Sequence, residues 1–179
     1  MRTKLDDVVE RHDDLEQYGR RYSLRLHTNI EEERGEDTDK IVLEATQKMG
    51  VDTQLCDISR SHRVGRKHPS KPRPIIFRLI SYRKRRDIYQ HRKALGNDQF
   101  VTEDLTARRS HLLYRCRQLR RSGVLQYVWT ADGRILVKEP HENSQAIEIK
   151  RDSDLSRFGT IAPERRPSSL DNSVNESRT

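Results

Sequence analysis

The most strand-like stretch of this chain reads Ile75-Ile76-Phe77-Arg78-Leu79-Ile80, and the predicted fold is built outward from it. β-Branched and aromatic side chains favour extended backbone because they pack well on a pleated surface. The start of the stretch is apolar on both faces, as in a strand buried within a sheet. The loop before it, residues 68–74, contains three prolines, which bar regular structure there.

Three further segments predict strands that pair with this one. Residues 22–27 alternate apolar and polar side chains, residues 58–64 form a polar strand, and residues 99–102 form a fourth strand. Two helical patterns separate them, so the order is β-α-β-β-α-β. This is the split βαβ, or RRM-like, arrangement, with a four-stranded sheet and both helices on one side of it. The predicted domain spans residues 22–104, and the whole chain is predicted to be α+β.

The two helices of this domain are marked by their ends. Residues 36–39 supply an N-cap and an acidic first turn, and Gly50 ends that helix. Ser81 is placed to cap the second helix, residues 82–95, which is predicted to end at Gly96. The 3.6-residue period gives the second helix an apolar inner face (Ile88, His91 and Leu95) and a cationic outer face (Arg83, Lys84, Arg85, Arg86, Arg92 and Lys93).

The first 21 residues carry a heptad pattern. A 3-4-3-4 spacing places Leu5, Val8, His12, Leu15, Gly19 and Tyr22 on one stripe of a helix, which is typical of the end of a coiled coil. About three heptads are marginal on their own in water, so this interpretation requires partner chains or a longer helix. The equally supported alternative is an amphipathic helix lying on the next domain.

A smaller third unit, residues 105–159, is predicted after the RRM-like domain. Its helix begins after Asp104 and has Leu112, Cys116 and Leu119 on its apolar line. Two alternating runs flank Asp132-Gly133, the residue pair that a tight type I′ hairpin turn requires. Trp129, on the first run, is interpreted either as a core residue or as a platform for a stacked base. The Ser/Asn-rich tail, residues 160–179, is predicted to be disordered.

Charge is strongly segregated along the chain. Residues 60–122 contain 19 of the 36 Lys and Arg residues and four of the 28 acids, whereas residues 1–59 contain 9 bases and 15 acids. A basic middle region attracts polyanions, of which nucleic-acid phosphates are the most common. The alternative is that the basic runs form solvated helix faces.

Several classes of protein are not favoured by the sequence. Cys56 and Cys116 are too few for a disulfide framework or a zinc knuckle, and each is predicted to be a small buried residue. We find no HExxH motif, phosphate-binding glycine loop or recognisable Ser/His/Asp grouping, so no enzymatic activity, metal or cofactor is predicted. The longest apolar runs are too short to cross a bilayer, and the N-terminus has no secretory core. We therefore expect an intracellular protein without membrane or small-molecule partners.

Five short motifs, in this order and spacing, resemble one known family. They read Ser23-Leu24-Arg25-Leu26, Arg60-Ser61-His62-Arg63-Val64-Gly65, Arg73-Pro74-Ile75-Ile76-Phe77, Glu103-Asp104-Leu105-Thr106 followed by Arg108-Arg109, and Trp129-Thr130-Ala131-Asp132-Gly133-Arg134-Ile135. The chain is thereby similar to the first-reading-frame protein of long interspersed nuclear element retrotransposons, the transposase type 22 family. The likeness runs from about residue 15 to residue 158.

The resemblance implies a trimeric coiled coil, an RNA-recognition-like domain and a small C-terminal domain. Such proteins coat their element's RNA as a ribonucleoprotein in the cytoplasm or nucleus and act as nucleic-acid chaperones without enzymatic activity. Carried over to this chain, the implied nucleic-acid-binding residues are Arg25, Arg63, Arg83, Lys84, Arg85, Arg86, Arg108, Arg109, Arg117, Arg121 and Trp129.

The predicted function is sequence-tolerant binding of single-stranded RNA or DNA in a cleft between the middle and C-terminal domains. Arginines would clamp phosphates, while Trp129 or Tyr114 would stack on bases. The alternative is a protein-interaction or homo-oligomerisation module that is derived from such an element and has lost nucleic-acid binding.

Overall fold

The computed structural model describes residues 4–159, which form an α+β structure with two antiparallel sheets. The predicted disordered tail, residues 160–179, lies outside the described residues. Short 3-10 helices cover Leu55–Asp57, Arg92–Leu95 and Asp152–Phe158. The other elements are α1 (Lys4–Arg20), β1 (Ser23–His27), α2 (Thr38–Lys48), β2 (Ile58–Arg63), β3 (Ile75–Leu79), α3 (Tyr82–His91), β4 (Phe100–Glu103), α4 (Ala107–Arg121), β5 (Tyr127–Ala131), β6 (Arg134–Lys138) and β7 (Ile147–Ile149).

The first sheet has the strand order β2-β3-β1-β4, and every neighbouring pair is antiparallel. Alternate residues of a strand point to the same side of a sheet, so one side can be apolar along its whole length. Helices α2 and α3 cover that side and share a core with it. The core is made by Leu24, Leu26, Val42, Ala45, Ile75, Phe77, Leu79, Ile88 and Val101.

Local chemistry sets the ends of α2, whereas the predicted side-chain cap of the second helix by Ser81 is not formed. The Asp37 carboxylate accepts a hydrogen bond from the Lys40 backbone N–H at 3.1 Å, which caps α2 as the sequence predicts. Gly50 follows α2 with a φ of +74°, a conformation that favours glycine. The predicted second helix is present, but its regular α-helical part ends at His91 and its last four residues are a 3-10 turn.

Two predictions about the faces of α3 are wrong. His91 is exposed, and Arg85, predicted on the outer face, is only 3% exposed. The reason lies outside the helix. Glu103 on β4 pairs with Leu24 across the sheet, so its carboxylate points to the helix-covered side. A buried carboxylate requires a cation nearby, and Arg85 supplies it.

The second unit packs α4 against the sheet β5-β6-β7. The predicted apolar line of α4 is confirmed, because Leu112, Cys116 and Leu119 are all buried. The β5–β6 hairpin is also confirmed. Asp132 and Gly133 have φ values of +51° and +77° at its turn, as a type I′ turn requires. Cys56, in contrast, is exposed, so its predicted burial is wrong.

Helix α1 lies on the rest of the protein through its polar face. Gln17, which is buried, donates from Nε2 to the Asp104 carbonyl at 2.9 Å and accepts from the Thr106 N–H at 3.0 Å. The apolar stripe points outward, with Leu5 and Leu15 exposed to 70% and 73%. The helix does lie on the neighbouring units, but not through its apolar face.

Candidate nucleic-acid interface

Several predicted binding arginines converge where α1, the first sheet and α4 meet. Arg25 on β1 and Arg20 on α1 both contact the buried carboxylate of Asp104, with nitrogen–oxygen distances of 2.6 and 3.0 Å. Asp104 is only 3% exposed and therefore needs these partners, since a buried charge is costly when unpaired. The guanidinium of Arg25 thus neutralises an acid of its own chain.

Arg109 on α4 is held in the same way. Its Nε lies 2.8 Å from the carboxylate of Asp13, and its Nη2 lies 2.5 Å from that of Asp14, both on α1. Its Nη1 donates to the Gly133 carbonyl at 3.0 Å. One arginine therefore joins α1, α4 and the β5–β6 turn.

The most buried ion pair of this junction is formed by Arg85 and Glu103. Glu103 also accepts a hydrogen bond from the Gly133 N–H at 3.1 Å, and Arg85 contacts Asp132 at 3.2 Å. Within residues 4–159, the Arg85 Nε is the buried side-chain polar atom that has no partner. The pair links the first unit to the hairpin of the second.

Arg63 is also committed to the fold. Its side chain is 3% exposed and forms a two-point ion pair with Glu36, at 2.9 Å for both contacts. It also donates to the Arg73 carbonyl at 2.8 Å. Arg25, Arg85 and Arg109 at the junction, like Arg63 within the first unit, therefore already bind acids of the chain. The binding of nucleic acid in a cleft between the two units stays a prediction.

The other predicted cations lie on two helices, α3 and α4. Arg83 and Arg86 are exposed on α3, where Lys84 donates to the Asp52 carbonyl. Arg108, Arg117 and Arg121 lie on α4. Among the described residues, the side chains without a hydrogen bond or ion pair include those of Arg60, Arg83, Arg86, Arg108, Arg117 and Arg121.

Trp129 lies in the second sheet, opposite Leu136 on the neighbouring strand. The residues that alternate with Leu136, Ile135 and Val137, are buried in the core of this unit. Trp129 therefore belongs to the other side of the sheet, where it is partly buried. Trp129 is therefore not part of the main core of this unit. Its role in stacking on a base stays a prediction.

The side of the first sheet away from α2 and α3 carries a different set of residues, here called the open face. It is formed by the strand positions that alternate with the core. The core positions, which include Leu24, Leu26, Phe77 and Val101, point to the helices. The residues between them point to the open face, and all four strands contribute rings or cations to it. The open face comprises Arg25, His27, Arg60, His62, Ile76, Arg78, Phe100 and Thr102.

Two rings stack on this open face. The His27 and Phe100 rings lie parallel within 5°, with their centroids 4.3 Å apart. The two residues are directly paired across β1 and β4, which brings their side chains together. Phe100 is 52% exposed, so much of its surface remains accessible to a further planar group.

Helix α4 contributes charge beside these rings. The pKa of His27 is lowered to about 4, mainly by burial and also by the positive charges of Arg25 and Arg117. The influence of Arg117 places that cation near the open face. His27 is therefore uncharged at neutral pH, and its Nε2 lies 3.0 Å from the Thr102 hydroxyl.

Sequence reasoning missed His27, Phe100, Arg60 and Arg78 as candidate site residues. A signal was present for His27, Arg78 and Phe100, because each occupies a strand position that alternates with an apolar core residue. Pairing the strands in register would have placed His27 beside Phe100. The missing step was the register, which depends on tertiary packing.

Other kinds of site find little support in the part of the chain that the structure describes. Residues 4–159 contain no group of three or more His, Cys, Asp or Glu side chains placed to hold a metal ion. None of the helices in this range has both the length and the apolar character needed to span a membrane. Burial raises the pKa of the Cys116 thiol to about 11, so this thiol stays protonated at neutral pH.

Comparison with known proteins changes the family assignment. A search of curated proteins finds no match to this chain. Residues 106–158 match the family model described as Baculovirus FP protein domain 2. The predicted resemblance to retrotransposon first-reading-frame proteins is therefore wrong, together with the roles in transposition and in a retrotransposon ribonucleoprotein that it implied. The segment from α4 to the last 3-10 turn is similar to the second domain of the Baculovirus FP protein.

Proposed function

We propose that this protein binds single-stranded RNA or DNA across the open face, with little dependence on base sequence. The observation that carries the proposal is the stacked His27–Phe100 pair beside the cations of the same face and of α4. The strand order, with both helices on the opposite side, supports an RRM-like interpretation of residues 22–104.

The chemistry of the open face favours tolerance of sequence. Arg60, Arg78 and Arg117 can attract phosphates, which every nucleotide carries, and an aromatic ring can stack on any base. Arg78 is partly committed, since its Nη1 donates to the Gly19 carbonyl at 3.1 Å. Such contacts screen phosphate repulsion without reading base identity, as a nucleic-acid chaperone requires.

Charge reversal at Arg60 and Arg117 together is expected to weaken binding of oligo(dT) by tenfold or more. Three phosphate contacts correspond to a slope of about −2 for log K against log salt on single strands, and the double variant should flatten this slope. The variants are Arg60→Glu and Arg117→Glu in one chain. Fluorescence anisotropy of a labelled 12-mer at several salt concentrations gives both quantities.

The matched control reverses Arg83 and Arg86 on α3, because this changes the net charge equally on the other side of the sheet. If the two double variants lose affinity equally, the loss comes from long-range electrostatic attraction and not from a binding site on the open face. Binding should also raise the pKa of His27 above about 4, since phosphates stabilise the protonated ring. If the NMR signals of His27 do not change when the oligonucleotide is added, the open face is excluded as the binding site.

A second candidate function is self-association through α1. Leu5, Val8 and Leu15 follow the heptad stripe and are exposed to 70%, 62% and 73%, while the polar face of α1 is held on the protein. In a parallel, in-register coiled coil, the flanking positions would set Arg11 of one helix against Glu16 of the next, an attractive pair. This candidate function corresponds to the alternative of a protein-interaction or homo-oligomerisation module that was inferred from the sequence.

The substitution Leu15→Glu is expected to shift sedimenting protein from oligomer to monomer. It places a charge in the apolar seam, where it would be buried on association. Leu55→Glu is the control, since Leu55 is 60% exposed on a 3-10 turn away from the stripe. A wild-type protein that sediments as a monomer at all concentrations would remove this candidate.

A further inference from the structure

Three tyrosine side chains line a cavity of about 400 Å³ that the open face does not include. Tyr18 comes from α1, Tyr22 from the turn after it, and Tyr82 from the first residue of α3. A cavity of this size is within the range of small-ligand pockets and exceeds the volume of one nucleobase. Its other lining residues are Asp14, Gln17, Arg21, Arg109 and Asp132.

The rings in this cavity already form stacking and edge contacts. Tyr22 and Tyr82 meet edge to face, with their centroids 6.4 Å apart and their planes at 86°. The guanidinium of Arg21 lies over both Tyr18 and Tyr22, at 3.6 and 4.5 Å from the ring centroids. Tyr18 is 64% exposed, so its ring is open to a planar ligand.

Among the residues that line the cavity, Arg21 is the cation available to a negative group of a ligand. Asp14 is paired with Arg109, and Asp132 accepts from the Tyr82 hydroxyl at 2.6 Å and from Arg85. Each acid shares its arginine with a second carboxylate, because Arg109 also binds Asp13 and Arg85 also binds Glu103. Arg21 donates to the Tyr18 carbonyl at 2.9 Å and forms no ion pair with the acids among the described residues. A planar ring that carries a negative group matches this lining.

The cavity also adjoins the open face. Arg78 belongs to the open face, and its guanidinium lies 5.4 Å from the centroid of the Tyr22 ring. A phosphate held by Arg78 would therefore have a neighbouring nucleotide within reach of the tyrosines. One single-stranded nucleic acid could therefore contact both the open face and the tyrosine cavity without any rearrangement of the sheet.

We propose that this tyrosine cavity is a subsite for one nucleotide of the bound single strand, with Tyr18 as its stacking residue and Arg21 as its phosphate contact. The inference rests on the proposed function, because it extends the strand that crosses the open face. The subsite lies at the α1 side of the sheet and adds stacking energy that the His27–Phe100 pair does not provide.

The substitution Tyr18→Ala is expected to weaken binding of a labelled oligo(dT) 12-mer by about tenfold, as typical for the loss of one stacked base. The control is Tyr127→Ala on β5, whose ring is similarly exposed at 55% but lies in the second sheet. Because both side chains are mainly exposed, both variants should fold. Loss with Tyr18→Ala and retention with Tyr127→Ala supports the subsite, whereas equal effects of the two substitutions overturn it.

Failure of the subsite can be separated from failure of the proposed function. If the wild-type protein binds the 12-mer and the Arg60→Glu/Arg117→Glu variant does not, normal affinity of Tyr18→Ala overturns the subsite alone. If the wild-type protein does not bind the 12-mer, the proposed function fails. In that case, a titration with deoxythymidine monophosphate, followed by the NMR signals of the tyrosine rings, tests the cavity directly. Ring shifts at Tyr18 and Tyr82 support it, and their absence overturns it.

Discussion

The substitution Glu103→Ala is expected to lower the free energy of unfolding by about 3–5 kcal/mol. The Glu103 carboxylate is almost completely buried from solvent, and it binds both the Arg85 guanidinium and the Gly133 N–H. Arg85 is itself 3% exposed and already has one nitrogen without a partner. Removal of Glu103 would leave this buried positive charge with only the longer contact to the exposed carboxylate of Asp132. Urea denaturation followed by circular dichroism measures the change.

Two further variants test the cause of this loss. Glu148→Ala removes a partly exposed carboxylate that lies 3.8 Å from Arg134, and it should change the free energy of unfolding by less than about 1 kcal/mol. The double substitution Arg85→Met with Glu103→Leu removes both buried charges and should recover most of the stability lost in Glu103→Ala. A double variant no more stable than Glu103→Ala would contradict the unpaired-charge explanation.

The substitution Gly133→Ala is expected to lower the free energy of unfolding by about 3 kcal/mol and to release α1. The φ of Gly133 is +77°, and an added Cβ would lie 2.6 Å from Cγ of Gln17. Gln17 cannot move aside without losing its hydrogen bonds to Asp104 and Thr106. Denaturation measures the stability, and limited proteolysis within α1 measures the release.

Gly35→Ala provides the matched control. Gly35 has a nearly equal φ of +81°, but an added Cβ would meet no atom within 4 Å. Its substitution should therefore show the backbone cost alone, about 1 kcal/mol, with α1 still protected. Equal losses in the two variants would mean that the contact with Gln17 is not important.

Local patterns predicted most secondary structure because the deciding interactions are local. Asp37 caps α2 through a bond to a residue three positions later, and Asp132-Gly133 makes its turn from its own backbone preferences. The position of Arg85 was not predictable in this way. Its burial depends on Glu103, which lies 18 positions away in sequence and on another element.

The candidate site was predicted only in part, and for related reasons. The family resemblance pointed to Arg25 and Arg109 but could not show that Asp104, Asp13 and Asp14 bind their guanidinium groups. The family assignment failed because its motifs were short. A turn pair such as Asp132-Gly133 or an apolar strand start reflects backbone physics that unrelated families share.

The amide of Gln17 joins both ends of the segment that connects the two hydrophobic cores. Asp104, Leu105 and Thr106 in that segment are all buried, so the two cores are fixed relative to each other before any ligand arrives. A single-stranded nucleic acid that contacts both the first sheet and α4 would then bind a preorganised surface. Little conformational entropy of the protein would be lost on association, and complexes should form without a slow closing step.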